Sequence, residues 1–232
     1  IRWIYGVAGS DRIASKSSLA ATLRASLPVS ILERVIPRTY IVSRSADMER
    51  LKKEFSPHDV YVLKKNIQQQ KGFLITRDLS TIMNAINTDS DYVVVQRVLQ
   101  DPYIIRGRKI NMRVYLLIVV EAGNRVRMFY YHDGFMYYTV KDFKANSVDP
   151  EEIITTGLAG RDMYQGRPLT HKDFYTYLGQ DKSTLLKTNM RSLCRYLHGA
   201  YETIFIEENK AMPGTKFLVY GIDVAPDSQL GC

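Results

Sequence analysis

The stretch VVQRVLQDPYIIRGRKINMRVY, residues 94–115, decides the fold of this chain. It opens in a β-branched run bounded by polar residues, which is typical of a buried strand. After an Asp-Pro pair, residues 106–113 bring four cations into eight positions and lead into a second apolar run. Because side chains alternate along a strand, Lys109, Asn111 and Arg113 are predicted to share one polar face. Two cations on one face suit a phosphate or a carboxylate, and the alternative is an exposed strand end with solvated charges.

Upstream of this stretch, a basic loop is predicted between two apolar strands. The strands are placed at 60–63 and 73–76, and the loop at 64–72. Lys64 and Lys71 would place positive charge near a chain of phosphate groups. The backbone N–H groups of the loop would donate directional hydrogen bonds to the same phosphates. The loop has a single glycine, so a hairpin tip with solvated lysines remains the alternative reading.

Downstream, the pattern predicts three strands joined by tight turns, which would form an antiparallel meander. The second of these turns is the sequence His132-Asp133-Gly134. A last strand ends at Asp223, a carboxylate that suits Mg²⁺ between phosphates or, alternatively, the capping of a turn. The remaining predictions are strands at 1–7, 37–42, 92–99, 112–121, 125–131, 135–140 and 217–224, and helices from Ser15 and at 47–55, 78–87 and 185–206.

Composition places the chain among ordinary globular proteins. Of 232 residues, 45% are hydrophobic and 24% charged, and the net charge is +8. That balance favours an acidic partner, although a merely solubilising charge stays open. Cys194 and Cys232 show no metal-ligand spacing, and two cysteines in a domain of this size do not make a disulfide framework, so a reducing, cytoplasmic compartment is predicted. The longest apolar run, 114–120, is too short to cross a bilayer, and no membrane or signal segment is expected.

In their order along the chain, four of these segments resemble the tubulin–tyrosine ligase and ligase-like family. They are Gln-Arg-Val-Leu at 96–99, Gly-Arg-Lys-Ile-Asn-Met-Arg-Val-Tyr at 107–115, Tyr-Tyr-His-Asp-Gly at 130–134 and Phe-Leu-Val-Tyr-Gly-Ile-Asp-Val at 217–224. The resemblance implies an α+β (α/β) ATP-grasp fold, with mixed and antiparallel sheets flanked by helices and a nucleotide site between two lobes. It also implies a partial N-terminal lobe at 1–57, a central lobe at 58–99 and a C-terminal lobe at 100–232.

The resemblance implies an ATP-dependent ligase that activates a carboxylate as an acylphosphate, with ATP and Mg²⁺, before an amine attacks. The carboxylate would belong to a tubulin tail or another acidic protein tail, and the amine to an amino acid. Such an enzyme would act in the cytoplasm, on the cytoskeleton or in cilia. The implied site residues are Lys64 and Lys71 for the phosphates, Gln96, Arg97 and Leu99 for adenine, Asn111 for ATP, Lys109 and Arg113 for the phosphates and catalysis, and Asp223 for ATP and the metal.

Departures from the family pattern favour a second reading. The family has an aspartate where this chain has Asn111, and an arginine where it has Tyr137. The family's Glu-x-Asn strand would follow residue 232, and the chain begins at Ile1 rather than Met, so truncation at both ends is expected. The alternative is therefore an inactive relative that serves as a structural or binding subunit of a larger assembly. Nucleic-acid binding is not favoured, because no regular basic and aromatic motif is present.

Overall fold

The computed structural model describes residues 2–66, 72–123, 125–156 and 161–232. The chain divides into two compact units. The large unit comprises Ile1–Asp11, Asp101–Phe143 and Ile154–Cys232, and the small unit comprises Arg12–Gln100 and Lys144–Ile153. The three-lobe division drawn from the sequence stays a prediction.

The helices and strands that the periodicity predicts lie close to their expected positions. In chain order they are β1 (Trp3–Tyr5), α1 (Asp11–Ala14), α2 (Lys16–Ser26), α3 (Val29–Val35), β2 (Thr39–Ile41), α4 (Ser45–Glu54), β3 (Tyr61–Lys65), β4 (Phe73–Thr76), α5 (Leu79–Thr88), β5 (Tyr92–Arg97), β6 (Ile104–Ile105), β7 (Arg108–Val120), β8 (Val126–Tyr130), β9 (Phe135–Thr139), α6 (Pro150–Ile153), β10 (Thr155–Thr156), a 3-10 turn (Arg161–Tyr164), α7 (His171–Leu178), α8 (Gln180–Asn209) and β11 (Thr215–Val224). The elements that the sequence does not predict are α1, α3, β6, α6, β10 and α7. Within the described ranges, no helix is long and apolar enough to span a membrane.

The small unit is an antiparallel sheet in the order β2-β5-β3-β4, with apolar side chains on both faces. One face carries a cluster that joins the strands to α4 and α5: Tyr40, Met48, Leu51, Tyr61, Leu63, Ile82 and Val95. On the other face, Ile41 and Val94 pack against Ala20 of α2. Because both faces are covered, the strands read as continuous apolar runs rather than as alternating ones.

The large unit is a mixed sheet in the order β1-β11-β7-β9-β10, with β6 and β8 also paired to β7. Only β1 and β11 run parallel among the described strand pairs. Every second residue of β7 is fully buried in the core: Ile110, Met112, Val114, Leu116, Ile118 and Val120. Helix α8 packs on β7 and β8 with its buried stripe. The alternation of β7 therefore turns its odd-numbered residues, including the predicted polar trio, to the opposite face.

The predicted three-stranded meander is wrong. Strands β8 and β9 both pair with β7, β8 against residues 116–120 and β9 against 110–113, and they follow one another along the same edge. They form one interrupted strand, and residues 131–134 bulge out of it without reversing the chain. A tight hairpin turn would need a left-handed glycine, but Gly134 lies outside that region. Glycine is required at position 134 for a steric reason instead, because a Cβ at that position would lie 2.1 Å from the Arg113 carbonyl oxygen.

Candidate active site

The central feature of the large unit is an ion pair across β7 and β11. The register of the two strands sets Arg113 opposite Asp223. Arg113 Nε donates to Asp223 Oδ1 at 2.7 Å, and Arg113 Nη2 donates to Oδ2 at 3.2 Å. Burial by itself lowers the pKa of Arg113, but the charge and hydrogen bonds of Asp223 raise it above its ordinary value. The arrangement holds a permanently charged, oriented guanidinium on the polar face of the sheet.

Neighbouring residues position this guanidinium. It lies over the ring of Tyr137, with Cζ 5.2 Å from the ring centroid. Gly221 of β11 leaves the space beside it, since a Cβ at that position would lie 3.0 Å from Arg113 Nη1. The presence of glycine two positions before Asp223 therefore has a steric explanation. The glycine is visible in the sequence, but only the strand register explains why it is there.

Asn111 and Lys109 continue the same face of β7. Asn111 is paired in register with Tyr137 of β9. Its Oδ1 is buried and has no hydrogen-bond partner among the described residues. An unsatisfied buried acceptor is costly, so the position is suited to receive a donor from a ligand. The Lys109 side chain is nearly buried, at 8% exposure, which strengthens the field of its charge relative to an exposed lysine.

In the small unit, three strands bring together a second polar group. Lys64 Nζ donates to Gln96 Oε1 at 2.6 Å, and Gln96 Nε2 donates to Thr39 Oγ1 at 2.8 Å. The register of β2, β3 and β5 produces this chain, because Gln96 is opposite Thr39 on one side and Val62 on the other. The sequence predicts Lys64 and Gln96 as site residues but misses Thr39. The one indication of a role for Thr39 is that it is a polar residue at the start of a strand, and the structure shows that it is buried.

The other predicted residues of the small unit are placed as follows. Arg97 ends β5, forms an ion pair with Asp59 at 2.6 Å, and donates its backbone N–H to the Arg38 carbonyl. Leu99 is half-buried and lies just beyond β5, although the predicted strand extends through it. Lys71 lies outside the described residues, as does most of the predicted basic loop.

The donor groups of the large unit suit an anion better than a metal ion. Arg113 and Lys109 are cations on one face, and Asn111 offers an amide. Both oxygens of Asp223 are engaged by Arg113. Across the described part of the chain, no group of three or more His, Cys, Asp or Glu side chains could hold a metal ion. The residues present therefore suit an anion such as a phosphate group, whereas a set of ligands for Mg²⁺ is not assembled among the described residues.

Two antiparallel-rich sheets flanked by helices, each with a polar group on adjacent strands, define an α+β protein of the ATP-grasp type. The chain belongs to the Tubulin-tyrosine ligase family, whose family model matches residues 9–230.

Curated relatives share moderate identity with the chain. It is 24% identical over 227 residues to a probable beta-tubulin polyglutamylase of Tetrahymena thermophila, covering 85% of this chain and 18% of the relative. It is 27% identical over 150 residues to the probable tubulin polyglutamylase TTLL9 of Rattus norvegicus, covering 59% of this chain and 30% of the relative. To the Bos taurus protein of the same name it is 36% identical over 66 residues, covering 28% and 14%. The chain thus spans less than a third of the length of these relatives.

Proposed function

We propose that this chain is the nucleotide-binding part of an ATP-dependent ligase that adds an amino acid to the carboxylate of an acidic protein tail. The observation that carries the proposal is the alignment of Lys109, Asn111 and Arg113 on one face of β7, with Arg113 oriented by Asp223. Relatives named as tubulin polyglutamylases support glutamate as the amino acid, tubulin as the protein and the cytoskeleton as the place of action. The net charge of +8 agrees with an acidic substrate.

The proposed reaction has two steps. A substrate carboxylate takes the terminal phosphoryl group of ATP, forming an acylphosphate and releasing ADP. The amine of the incoming amino acid then attacks that carbonyl, an amide bond forms, and inorganic phosphate leaves. Arg113 and Lys109 would stabilise the negative charge that develops on the phosphoryl oxygens, since fixed cations in a partly buried site require little reorganisation.

The remaining predicted residues are assigned as follows. The Gln96 amide, held by Lys64 and Thr39, is assigned to the adenine, together with the backbone near Arg97 and Leu99. Lys64 and Lys71 are assigned to the phosphates. Asn111 Oδ1 is assigned to accept a hydrogen bond from a donor group of the ligand. Asp223 is the carboxylate assigned to Mg²⁺, but its oxygens are taken by Arg113 and the described residues do not gather a set of metal ligands. No step is derived through the metal.

The test is calorimetric titration of the chain with Mg²⁺-ATP. Arg113→Ala is expected to weaken binding by about tenfold, because one charge-assisted contact to phosphate is lost. Arg127→Ala is the matched control: Arg127 is also in the large unit's sheet and paired with a carboxylate, Glu121, at 2.8 Å. The control is expected to bind like the parent chain. Binding that neither variant changes, or no binding at all, would overturn the nucleotide-site assignment.

A second candidate function is supported by three observations in the same place. Asn111 stands where the family has an acidic residue, Tyr137 where it has an arginine, and Asp223 is neutralised by Arg113. These favour an inactive relative that serves as a structural or binding subunit. Asn111→Asp separates the two readings, because it restores a carboxylate without changing side-chain shape. A nucleotide-binding site predicts stronger Mg²⁺-dependent ATP binding in this variant, and a purely structural module predicts no change.

A further inference from the structure

A groove lies between β8 and α8 in the large unit, beside the part of β8 that pairs with residues 116–120 of β7. It encloses about 430 Å³. Three consecutive residues of β8 line one wall, Met128–Tyr130, and one face of α8 lines the other, with Arg191, Cys194, Arg195, His198 and Gly199. Since side chains alternate along a strand, three consecutive lining residues mean that the groove runs along the strand's edge and includes its backbone.

That edge of β8 is unpaired among the described strands, because β8 pairs with β7 alone. Tyr131 donates its N–H to the Tyr115 carbonyl, and Arg125 accepts from the Glu121 N–H, so the odd-numbered residues turn their backbone groups toward β7. Antiparallel geometry then turns the N–H and C=O groups of Met128 and Tyr130 outward. His198 Nε2 lies 3.1 Å from the outward carbonyl of Val126, which shows that this face of α8 reaches the strand edge.

The helical wall of the groove is cationic. Arg191 and Arg195 are exposed, and neither lies within ion-pairing distance of a carboxylate in the described part of the chain. They are one helical turn apart, a rise of about 6 Å. Alternate side chains of an extended peptide are separated by about 6.8 Å, which is close to that spacing. Exposed Phe129 and nearly buried Cys194 add an apolar lining.

We propose that this groove binds an extended acidic peptide, which adds as a strand to the free edge of β8 and places alternate carboxylates against Arg191 and Arg195. Strand addition obtains its affinity from main-chain hydrogen bonds and its specificity from the side chains that face the second wall. The charge of the wall selects the acidic class of peptide, and a glutamate-rich run could bind in several registers. The site is separate from the polar face of β7 and does not depend on nucleotide binding.

The first experiment is fluorescence anisotropy with a labelled oligoglutamate peptide of about ten residues, without nucleotide. The double variant Arg191→Glu/Arg195→Glu is expected to weaken binding by about tenfold or more, because it reverses the charge of the wall. Lys172→Glu/Lys182→Glu is the matched control, since both lysines are exposed and the net charge changes equally. It is expected to alter binding by less than about threefold. Equal losses in both double variants, or no binding to the parent chain, would overturn the proposal.

Amide hydrogen exchange tests the strand addition without any substitution. The bound peptide is expected to slow exchange at Met128 and Tyr130, whose N–H groups point outward. Binding without slower exchange at these two positions would contradict strand addition. A thymidine oligonucleotide of matched charge distinguishes a site for acidic peptides from a site for any polyanion. If the oligonucleotide displaces the peptide at equal concentration, the proposal is also overturned. Arg113→Ala is expected to keep peptide binding, so failure here is distinguishable from failure of the nucleotide site.

Discussion

Arg113 and Asp223 face each other across β7 and β11, although 110 positions separate them in the chain. Their two hydrogen bonds fix the plane of the guanidinium. The side chains are 31% and 46% exposed, so solvent screens the pair and its contribution to stability is small, about 0–1 kcal/mol. The pair therefore acts on the chemistry of the polar face far more than on folding, and it can be altered without unfolding the protein.

Asp223→Asn is expected to free the charge of Arg113 for a ligand. Metal-free ATP binding should then strengthen by roughly threefold to tenfold, because the guanidinium no longer has an internal carboxylate. Calorimetry in the presence of a chelator measures this change. Glu121→Gln, which breaks the comparable Arg127 pair in the same sheet, is the control and should leave ATP binding unchanged. Weaker metal-free binding in Asp223→Asn would contradict the assignment of Arg113 to the phosphates.

Gly134→Ala is expected to destabilise the large unit by about 2–4 kcal/mol. The added methyl would lie 2.1 Å from the Arg113 carbonyl oxygen and 2.7 Å from His171 Cε1, so the bulge between β8 and β9 would have to open. Urea denaturation measures the loss. The control is Gly199→Ala in α8, where an added Cβ would have no atom within 4 Å. Because alanine has a higher helix propensity than glycine, this variant should raise the free energy of unfolding by about 0.5–1 kcal/mol. A neutral Gly134→Ala would refute the steric explanation of the bulge.

Asp47→Asn is expected to destabilise the small unit by about 2–3 kcal/mol, since it breaks a mostly buried ion pair. Asp47 accepts from Arg24 Nη1 at 2.7 Å and from the Ile41 N–H at 2.7 Å, which ties α4 to α2 and β2. Burial would raise the pKa of this carboxyl, but these bonds hold the pKa below its ordinary 3.8. The stabilisation is therefore present above pH 3.8 and is lost as the pH falls through the lower, folded-state pKa.

Thermal or urea unfolding of this variant between pH 7 and pH 3 measures both effects. The control is Glu49→Gln, also in α4, whose exposed pair with Lys52 should be worth less than about 0.5 kcal/mol. The difference between Asp47→Asn and the parent chain should shrink in acid. A difference that stays constant down to pH 3 would show that the charge of Asp47 is not the cause.

His171 is expected to make folding stability fall between pH 6.5 and about pH 4. Its side chain is almost completely buried, and that burial lowers its pKa from 6.5 to about 4. In this window the unfolded chain binds a proton that the folded chain does not, so stability decreases as the pH decreases, by roughly 3 kcal/mol in all. His171→Gln should remove that part of the slope, whereas His58→Gln, at an exposed position, should retain it. Identical slopes in both variants would refute the role of His171.

Local patterns in the sequence were sufficient to locate most helices and strands. Side-chain alternation placed Lys109, Asn111 and Arg113 on one polar face of β7, and on the other face all six even-numbered residues from Ile110 to Val120 are fully buried. Ser15 and Asp78 cap α2 and α5 where the helix starts were expected. Ends were less certain: α8 begins at Gln180, ahead of the predicted 185, because a left-handed Gly179 sets its start.

Local patterns could not predict which strand pairs with which. Periodicity says which face a residue occupies, but the neighbouring strand on that face is chosen by contacts distant in sequence. The meander failed for this reason, since the hairpin pattern at His132-Asp133-Gly134 is equally compatible with a bulge that continues along β7.

By itself, the sequence determined the polar trio of β7 and the carboxylate at the end of β11, because each depends on residues close together in the chain. The order of the motifs along the chain carried the family resemblance and, with it, the α+β class. Only the tertiary structure decided that Asp223 pairs with Arg113, that Thr39 orients Gln96, and that the outer edge of β8 lies beside the arginines of α8. Strand register and helix docking create these contacts. Both are set by the packing of the whole core, which no local pattern contains.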